Sequence, residues 1–521
     1  MADNIKTYPV PCQGGLRSNL DPITQGSKIP GSGIRMINYE PALKGGYRRI
    51  DGYTNDYGTV PGFAAAPVLG VFVSSDINKG IFACRKPAQI PDTATNFNYF
   101  HYWNGTAWVT PNVSGNPTMT NVTRVRFNDF NWGTPKLVLT DGINPAATWD
   151  GVTYVQINHA QAPTAPKLSE NFANHMFLAS DPSEPHNLYF SAPVDETNFS
   201  PSAGAGVINT GFKVVQIKSF RNQLYIFGTN QIKRLSGSNA SDFRLDSVTN
   251  SLGCLAADSV IEFNADLLFL SPDGIRPISA TERIGDIEIA TVSKPIQTLF
   301  DQFSATEDMT DVTILPIRRK SQFRLFFPDK ESLGVIGALR LSGLGDSGSS
   351  FEFSQLIGID VYCGASGYIG DEEFVVHGDS QGKVFRQESG IDFDGVPIFS
   401  LYQTPYLYMD DMLVRKTFYS VTTYLLTEGT VTVNASVEFD YGDTEVEVAA
   451  NYAFDSVGAA SFFGTSSFDT TDIYDGNPSP VKKLNITGSG SSVSVRYVTT
   501  VTQPSHTIQA LALEYGLADR R

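Results

Sequence analysis

Gly345-Asp346-Ser347-Gly348 is a place where residue types and order could do chemistry, because a serine in this setting can act as a nucleophile. Such a serine needs a histidine base and a buried aspartate to orient it, and no histidine motif upstream supplies the partner. The surrounding LSGLGDSGSS, ending in Ser349 and Ser350, has instead the composition of a flexible loop. The six histidines, His101, His159, His175, His186, His377 and His506, never stand at i, i+4 around a glutamate, which excludes a zinc-protease helix. His175 and His186 are the nearest pair and read as a strand-edge residue and a turn residue.

Close carboxylates followed by glycine, as in Asp379-Ser-Gln-Gly382 and Asp392-Phe-Asp394-Gly395, would suit a hard cation. The EF-hand spacing and its terminal glutamate are missing, and Asp-Gly recurs at 141–142, 150–151, 273–274 and 475–476 as tight turns require. Cys12, Cys84, Cys254 and Cys363 are scattered without a CxxC pair, so they read as buried free thiols. No glycine-rich phosphate loop opens a helix. The chain is therefore read as a non-enzyme with no catalytic residue, no metal ligand and no cofactor.

The elements around these residues are β-strands. A formal charge of −16, only 18% charged residues and 12% aromatics make a β-rich composition unsuited to disorder. That acidity also argues against gripping nucleic acid, since affinity for phosphate comes from lysine and arginine. The opening MADNIKTYPVPCQGG has no apolar core of a secretory signal, and no stretch approaches the ~18 apolar residues of a membrane helix. Synthesis in the cytoplasm, without membrane insertion, is the expectation.

Helical periodicity is confined to Ser293-Lys-Pro295 followed by Ile296, Leu299, Phe300 and Phe303, where a cap, a first-turn proline and an apolar stripe agree. Elsewhere short apolar runs end in turn dipeptides, as in LVLTDG, MFLASD, LYIFGT and LLFLSPDG. Taking Leu137, Met176, Leu224, Leu267, Phe323 and Phe374 as equivalent anchors gives steps of 39, 48, 43, 56 and 51 residues. These bracket the ~40–50-residue repeat of propeller blades. The spacing also suits a pair of β-sandwiches; an all-β propeller of five to seven blades, six favoured, is the preferred reading.

From 401 the texture changes to strict alternation, as in TVTVNASVEF, which predicts an antiparallel sheet with one wet face. Residues 449–480 interrupt it with small residues and exposed-looking Phe462, Phe463, Phe468, Asp469 and Asp472, the pattern of a long functional loop. The expected domains are an N-terminal arm with docking strands (1–60), a propeller (61–400), and a β domain (401–521) completed by the arm.

Within the arm, Glu40-Pro41-Ala-Leu-Lys-Gly45-Gly46-Tyr47-Arg48-Arg49-Ile50-Asp51-Gly52-Tyr53 reads as an extended entry, a turn, a short basic aromatic strand and a second turn. With Gln13–Leu16, Ile34–Asn38, Leu188–Ser191, Phe220–Gly228, Gly253-Cys254 and Leu268–Arg276, in this order, it resembles the tail nozzle proteins of short-tailed bacteriophages (tail tubular protein B, or phage stabilisation protein). The C-terminal part is similar only in texture, with Phe439-Asp440-Tyr441-Gly442 its most typical point.

The resemblance implies a structural virion protein, a homohexamer in the tail assembled in the host cytoplasm. It would sit below a tail adaptor protein ring, meet tail fibres or tail tip proteins, retain the genome, and conduct dsDNA without specific binding. Tyr47, Arg48, Arg49 and Tyr53 are then candidate interface residues, since guanidinium forks suit carboxylates on an acidic neighbour. Phe462, Phe463, Phe468, Asp469 and Asp472 become a candidate gate or fibre-docking loop. A competing reading, a carbohydrate-binding or carbohydrate-degrading propeller, rests on the aromatic turns at Tyr102-Trp103 and Trp108.

Overall fold

Alternating apolar residues make the strands, and each anchor lies in the second strand of its own sheet. The computed structural model describes residues 5–74, 80–87, 97–114, 122–282, 291–328, 333–341, 349–409, 411–441, 452–456 and 481–517. In it Leu137 lies in Pro135–Thr140, Met176 in His175–Asp181, Leu224 in Gln223–Phe227, Leu267 in Asp266–Ser271, Phe323 in Gln322–Phe326 and Phe374 in Glu372–Gly378. A seventh sheet precedes these six, with Ile81–Arg85 in the same place.

Each sheet runs outward from its first strand, and all seven first strands, or the residues leading into them, line one axial cavity of about 280 Å³. Neighbouring sheets share apolar cores in a closed cycle. Phe82 and Cys84 meet Leu137 and Trp149 between the first two, and Val138 meets Met176 and Leu178 between the next two. Phe177 and Leu188 then meet Leu224 and Ile226, while Phe227 and Ile232 meet Leu267 and Phe269. Leu268 and Leu270 pack with Phe323 and Leu325, Phe326 and Ile336 with Val375, and Val376 and Val384 with Val71 and Ala83.

The architecture is thus a seven-bladed β-propeller, within the expected five to seven and one more than the six favoured. The blade that the anchors omit is the first. Its second strand, IFACR, is followed by Lys-Pro instead of a turn dipeptide, so it lacks the signal by which the other six were spaced.

The chain closes its ring with a strand from the arm. Tyr53–Thr54 pairs antiparallel with Val384–Gln387, as the outer strand of the seventh blade. The sixth blade does not end at its fourth strand. Ser349–Ile357 pairs in parallel with Arg35–Ile37, and the sheet continues through Ser400–Gln403, Val493–Thr499, Val431–Phe439 and Tyr452–Ser456. Ser349 and Ser350, read from sequence as loop, open that fourth strand.

Facing this extension is a six-stranded sheet in which the arm strands Lys6–Pro11, Tyr39–Pro41 and Tyr47–Arg49 flank His506–Leu517, next to Lys416–Thr427 and Val481–Gly490. Val433, Val495 and Tyr497 of one sheet pack with Val421, Leu511 and Leu513 of the other. The second β domain is therefore built from both ends of the chain, as the alternation in TVTVNASVEF and the arm motifs required.

The expected helix forms as Lys294–Ile296 running into Gln297–Thr306, with Phe300 and Phe303 buried. Ser293 does not cap it: its hydroxyl accepts the Ile275 N–H at 3.0 Å, tying the helix entrance to the fifth blade. Two short helices, Pro22–Lys28 and Ile278–Glu282, were not legible from periodicity. The four cysteines are buried free thiols, and burial pushes Cys12, Cys254 and Cys363 up to about 12.

The ring of Trp149 is fully buried, 5.2 Å from that of Phe82, 5.4 Å from Tyr102 and 5.7 Å from Phe100. Trp149→Ala should cost about 3–5 kcal/mol, the usual range for an aromatic truncated in a core, read as a lowered urea midpoint.

Candidate functional site

The turn at Gly45 and Gly46, with φ of 90° and 87°, reverses the arm so that Tyr39–Pro41 and Tyr47–Arg49 pair. A side chain on Gly46 would strike the Ile508 carbonyl, only 2.4 Å from an ideal Cβ. The hairpin therefore lies directly on the C-terminal strand.

All four candidate interface residues are used within the chain. Tyr47 is fully buried; its hydroxyl donates to the Gly31 carbonyl and accepts the Gly15 N–H, both at 2.9 Å. Tyr53 stacks on Phe393 at 5.1 Å and meets Phe385 and His377 edge-on inside the seventh blade. Arg49 is also fully buried and donates to the carbonyls of Gln503 at 2.6 Å and Ile391 at 3.1 Å.

Arg48 does find carboxylates, as its fork geometry required, but they are its own. It donates twice to Glu428, at 2.6 and 2.7 Å, twice to Asp51, at 2.7 and 2.9 Å, and to Glu40 at 3.2 Å. Within the single chain these residues form an interface between the arm and the body. The physical reason is local, since Asp51 lies three residues away and Glu40 is its neighbour across the hairpin.

These contacts belong to a larger ionic knot. Lys320 donates to Glu40 at 2.7 Å and Asp51 at 3.1 Å, and also pairs with Glu388. Arg324 pairs with Glu388, reaches Glu40 at 3.4 Å and donates to Gln387 at 3.2 Å. Burial alone would raise Asp51, yet the Arg48 and Lys320 cations hold it well below the usual carboxylate range. Glu388 is lowered in the same way, with Arg324 and Lys320 overcoming its burial. The sequence signal for these partners was a cation or carboxylate inside an apolar strand, Arg324 in QFRLF and Glu40 in YEP.

The axis carries a second polar network. Arg124 and Arg126 converge on Asp258, with Arg124 Nη2 at 2.9 Å and Arg126 Nε at 2.8 Å, and Arg124 also donates to the Tyr362 carbonyl at 2.6 Å. Glu170 accepts from Asn128 at 3.1 Å, from Lys218 at 3.2 Å and from the Ser219 N–H at 3.2 Å. Burial would raise Asp258, but the two guanidiniums hold its carboxyl down at about 2. Glu170 is pushed up by burial against the pull of Lys218, and Lys218 is raised in turn by Glu170. An axial space of about 280 Å³ crossed by these side chains is of small-molecule size, and a duplex whose major groove alone is about 12 Å wide does not pass.

The other carboxylate motifs serve turns: Asp379 accepts the N–H groups of Gln381 and Lys383, and Asp392 that of Gly395. Trp103 and Trp108 pack on each other, and Trp108 donates to the Tyr57 carbonyl. Gly345 to Gly348, and Phe462, Phe463, Phe468, Asp469 and Asp472, lie outside the described residues.

No protein-family model matches this chain, and no curated protein matches it. Among solved structures it is similar to the extracellular domain of a putative one-component system from B. thetaiotaomicron, with 12% identity and a TM-score of 0.39 over 71% of this chain and 43% of that one. It is also similar to a chain of a mitotic checkpoint complex, at 11% identity and TM-score 0.39 over 65% and 93%. An ancestral GH74 enzyme gives 10% identity and TM-score 0.37 over 73% and 53%. The chain spans less than half the length of the first, and likeness this remote carries no functional argument.

Two predictions follow from the buried charges. Asp258→Asn leaves two guanidiniums without their carboxylate and should cost about 3–5 kcal/mol, measured by urea denaturation at pH 7. His101 is held down at about 4, and His377 and His506 at about 3, chiefly by burial, so the folded state keeps them neutral where the unfolded chain protonates them below pH 6.5. Their contribution is complete above pH 6.5 and is lost as pH falls toward 3, so unfolding near pH 5 should take up about two to three protons, read from the pH dependence of the free energy.

Proposed function

We propose that this protein is a structural component of a virion, a tail nozzle of a short-tailed phage that acts as a ring of six copies and has no catalytic step. The observation that carries the reading is the role of the Glu40–Tyr53 motif, the longest part of the resemblance. Its residues bind the arm to the sixth blade through Lys320 and Arg324, to the seventh through Gln387 and Ile391, and to the C-terminal domain through Gln503 and Glu428. A motif used in that way fits a rigid two-domain body, which suits a load-bearing ring.

The filled axis of the single copy directs the conduit elsewhere: dsDNA would run between copies, along the axis of the ring. Six copies bring six times the chain's −16, and a wall of that sign repels a polyanion. In this reading the duplex slides without specific contacts, and the part of 449–480 that follows the strand Tyr452–Ser456 supplies the gate or the surface for fibres. The adaptor ring and the tail tip proteins would be its other partners.

Native mass measurement and negative-stain images of the purified chain test the ring: six copies around an axial hole support it, while tight retention of duplex DNA at physiological salt contradicts it. Deletion of 458–475, which spares the strand Tyr452–Ser456, should leave the melting temperature of the body unchanged and reduce genome retention or fibre attachment in assembled particles. Particles that behave as wild type reject that assignment of the loop.

A further inference from the structure

Where the innermost strands begin, the propeller axis widens into a mouth of about 420 Å³. Three successive blades bring a cation to within three residues of the start of their innermost strand. Arg126 opens Arg126–Asn131 of the second blade, Lys167 immediately precedes Leu168–Phe172 of the third, and Lys213 lies just before Gln216–Phe220 of the fourth.

The local charge is opposite to that of the chain. With Arg124 the mouth holds four cations against three carboxylates, Asp141, Asp258 and Asp311. Asp258 is shared by the two guanidiniums, and Asp141 is occupied by the N–H groups of Ile143 and Asn144, the Asn144 amide and the Tyr99 hydroxyl. Neither lysine ammonium is in an ion pair among the described residues. Partial burial, then Lys213 and Arg126, hold Lys167 below the usual lysine value, so these like charges feel one another.

The site is also built. The stem of Lys167 lies on Gly142, where an ideal Cβ would stand 2.4 Å from Lys167 Cγ, and Gly142 has φ 77°. Lys167 is fixed by its own backbone, whose N–H donates to Ala179 and whose carbonyl accepts from Thr140. Ser180 lines the mouth at φ 60°, in a bulge between Ala179 and Asp181 that interrupts the strand pairing. Left-handed backbone at a non-glycine residue is costly and collects where a site needs a side chain re-aimed. Thr229 lines the same wall, with Thr123 and Thr310 also around the mouth.

We infer that this mouth binds a small, multiply charged oxyanion, a polycarboxylate or a phosphate compound. Lys167 and Lys213 are its charge partners, and the hydroxyls of Ser180 and Thr229 are further donors. Cations gathered at the rim of a low-dielectric cavity focus field on an incoming anion. The inference rests on the propeller alone and is independent of the proposed role in a virion.

Isothermal titration of the full chain with citrate, and separately with inorganic pyrophosphate, tests it at low ionic strength. Binding in the micromolar to low millimolar range is expected, weakened at least tenfold in Lys167→Ala/Lys213→Ala. Lys28→Ala/Lys44→Ala makes the same change in net charge at exposed residues elsewhere and should bind as wild type. Preference for citrate assigns carboxylate chemistry and preference for pyrophosphate assigns phosphate. No binding of either below 10 mM, or equal weakening in both double variants, overturns the proposal. Thermal melts of both variants establish that a lost signal is not lost folding.

Discussion

A carboxylate with 1% exposure cannot be left without cations, and Glu40 imposes that constraint on the whole molecule. Its partners are Arg48 from its own hairpin, Lys320 from the turn after the first strand of the sixth blade and Arg324 from that blade's second strand. Glu388, at the end of the seventh blade, shares Lys320 and Arg324, while Glu428 of the C-terminal domain shares Arg48. An ionic knot of this kind contributes little net stability compared with apolar packing, but removing one member strands the others in a dry place. Arm, propeller and C-terminal domain must therefore fold into one arrangement together.

The sheet edges follow from the same need to satisfy buried groups. A ring of blades leaves the final sheet one strand short unless the chain returns, and Tyr53–Thr54 supplies it, starting two residues after Asp51 of the knot. The sixth blade would expose the edge of Ser349–Ile357; Arg35–Ile37 covers it and carries the hydrogen bonding into the second domain. One open edge, Val481–Gly490, carries Lys482 and Lys483, which discourage pairing with another chain.

The two polar assemblies divide the functional possibilities. The arm knot is satisfied internally and holds domains in place. The axis is crossed by Glu170 with Lys218 and by Asp258 with two arginines, which leaves room for a small ligand at the mouth and none for a macromolecule through the middle.

The repeat was legible in the sequence because each second strand is a short apolar run, and in six blades a turn residue follows it; those signals are local. Leu137 through Phe374 mark six blades correctly for that reason, and Phe82 is missed because Lys86-Pro87 follows its strand. The Gly45-Gly46 reversal and the alternation of 431–439 were legible for the same cause, a backbone requirement within a few residues. What Arg48 and Arg49 touch was not: Glu428 and Gln503 lie some four hundred residues away, and charge alone cannot tell a partner in the same chain from one in another copy. The axial charges were equally hidden, since Arg124-Val-Arg126 reads as an ordinary exposed face until seven strands converge and turn that face inward. Periodicity and turn chemistry are written along the chain, whereas which polar residues share a buried space is decided only by closure of the ring.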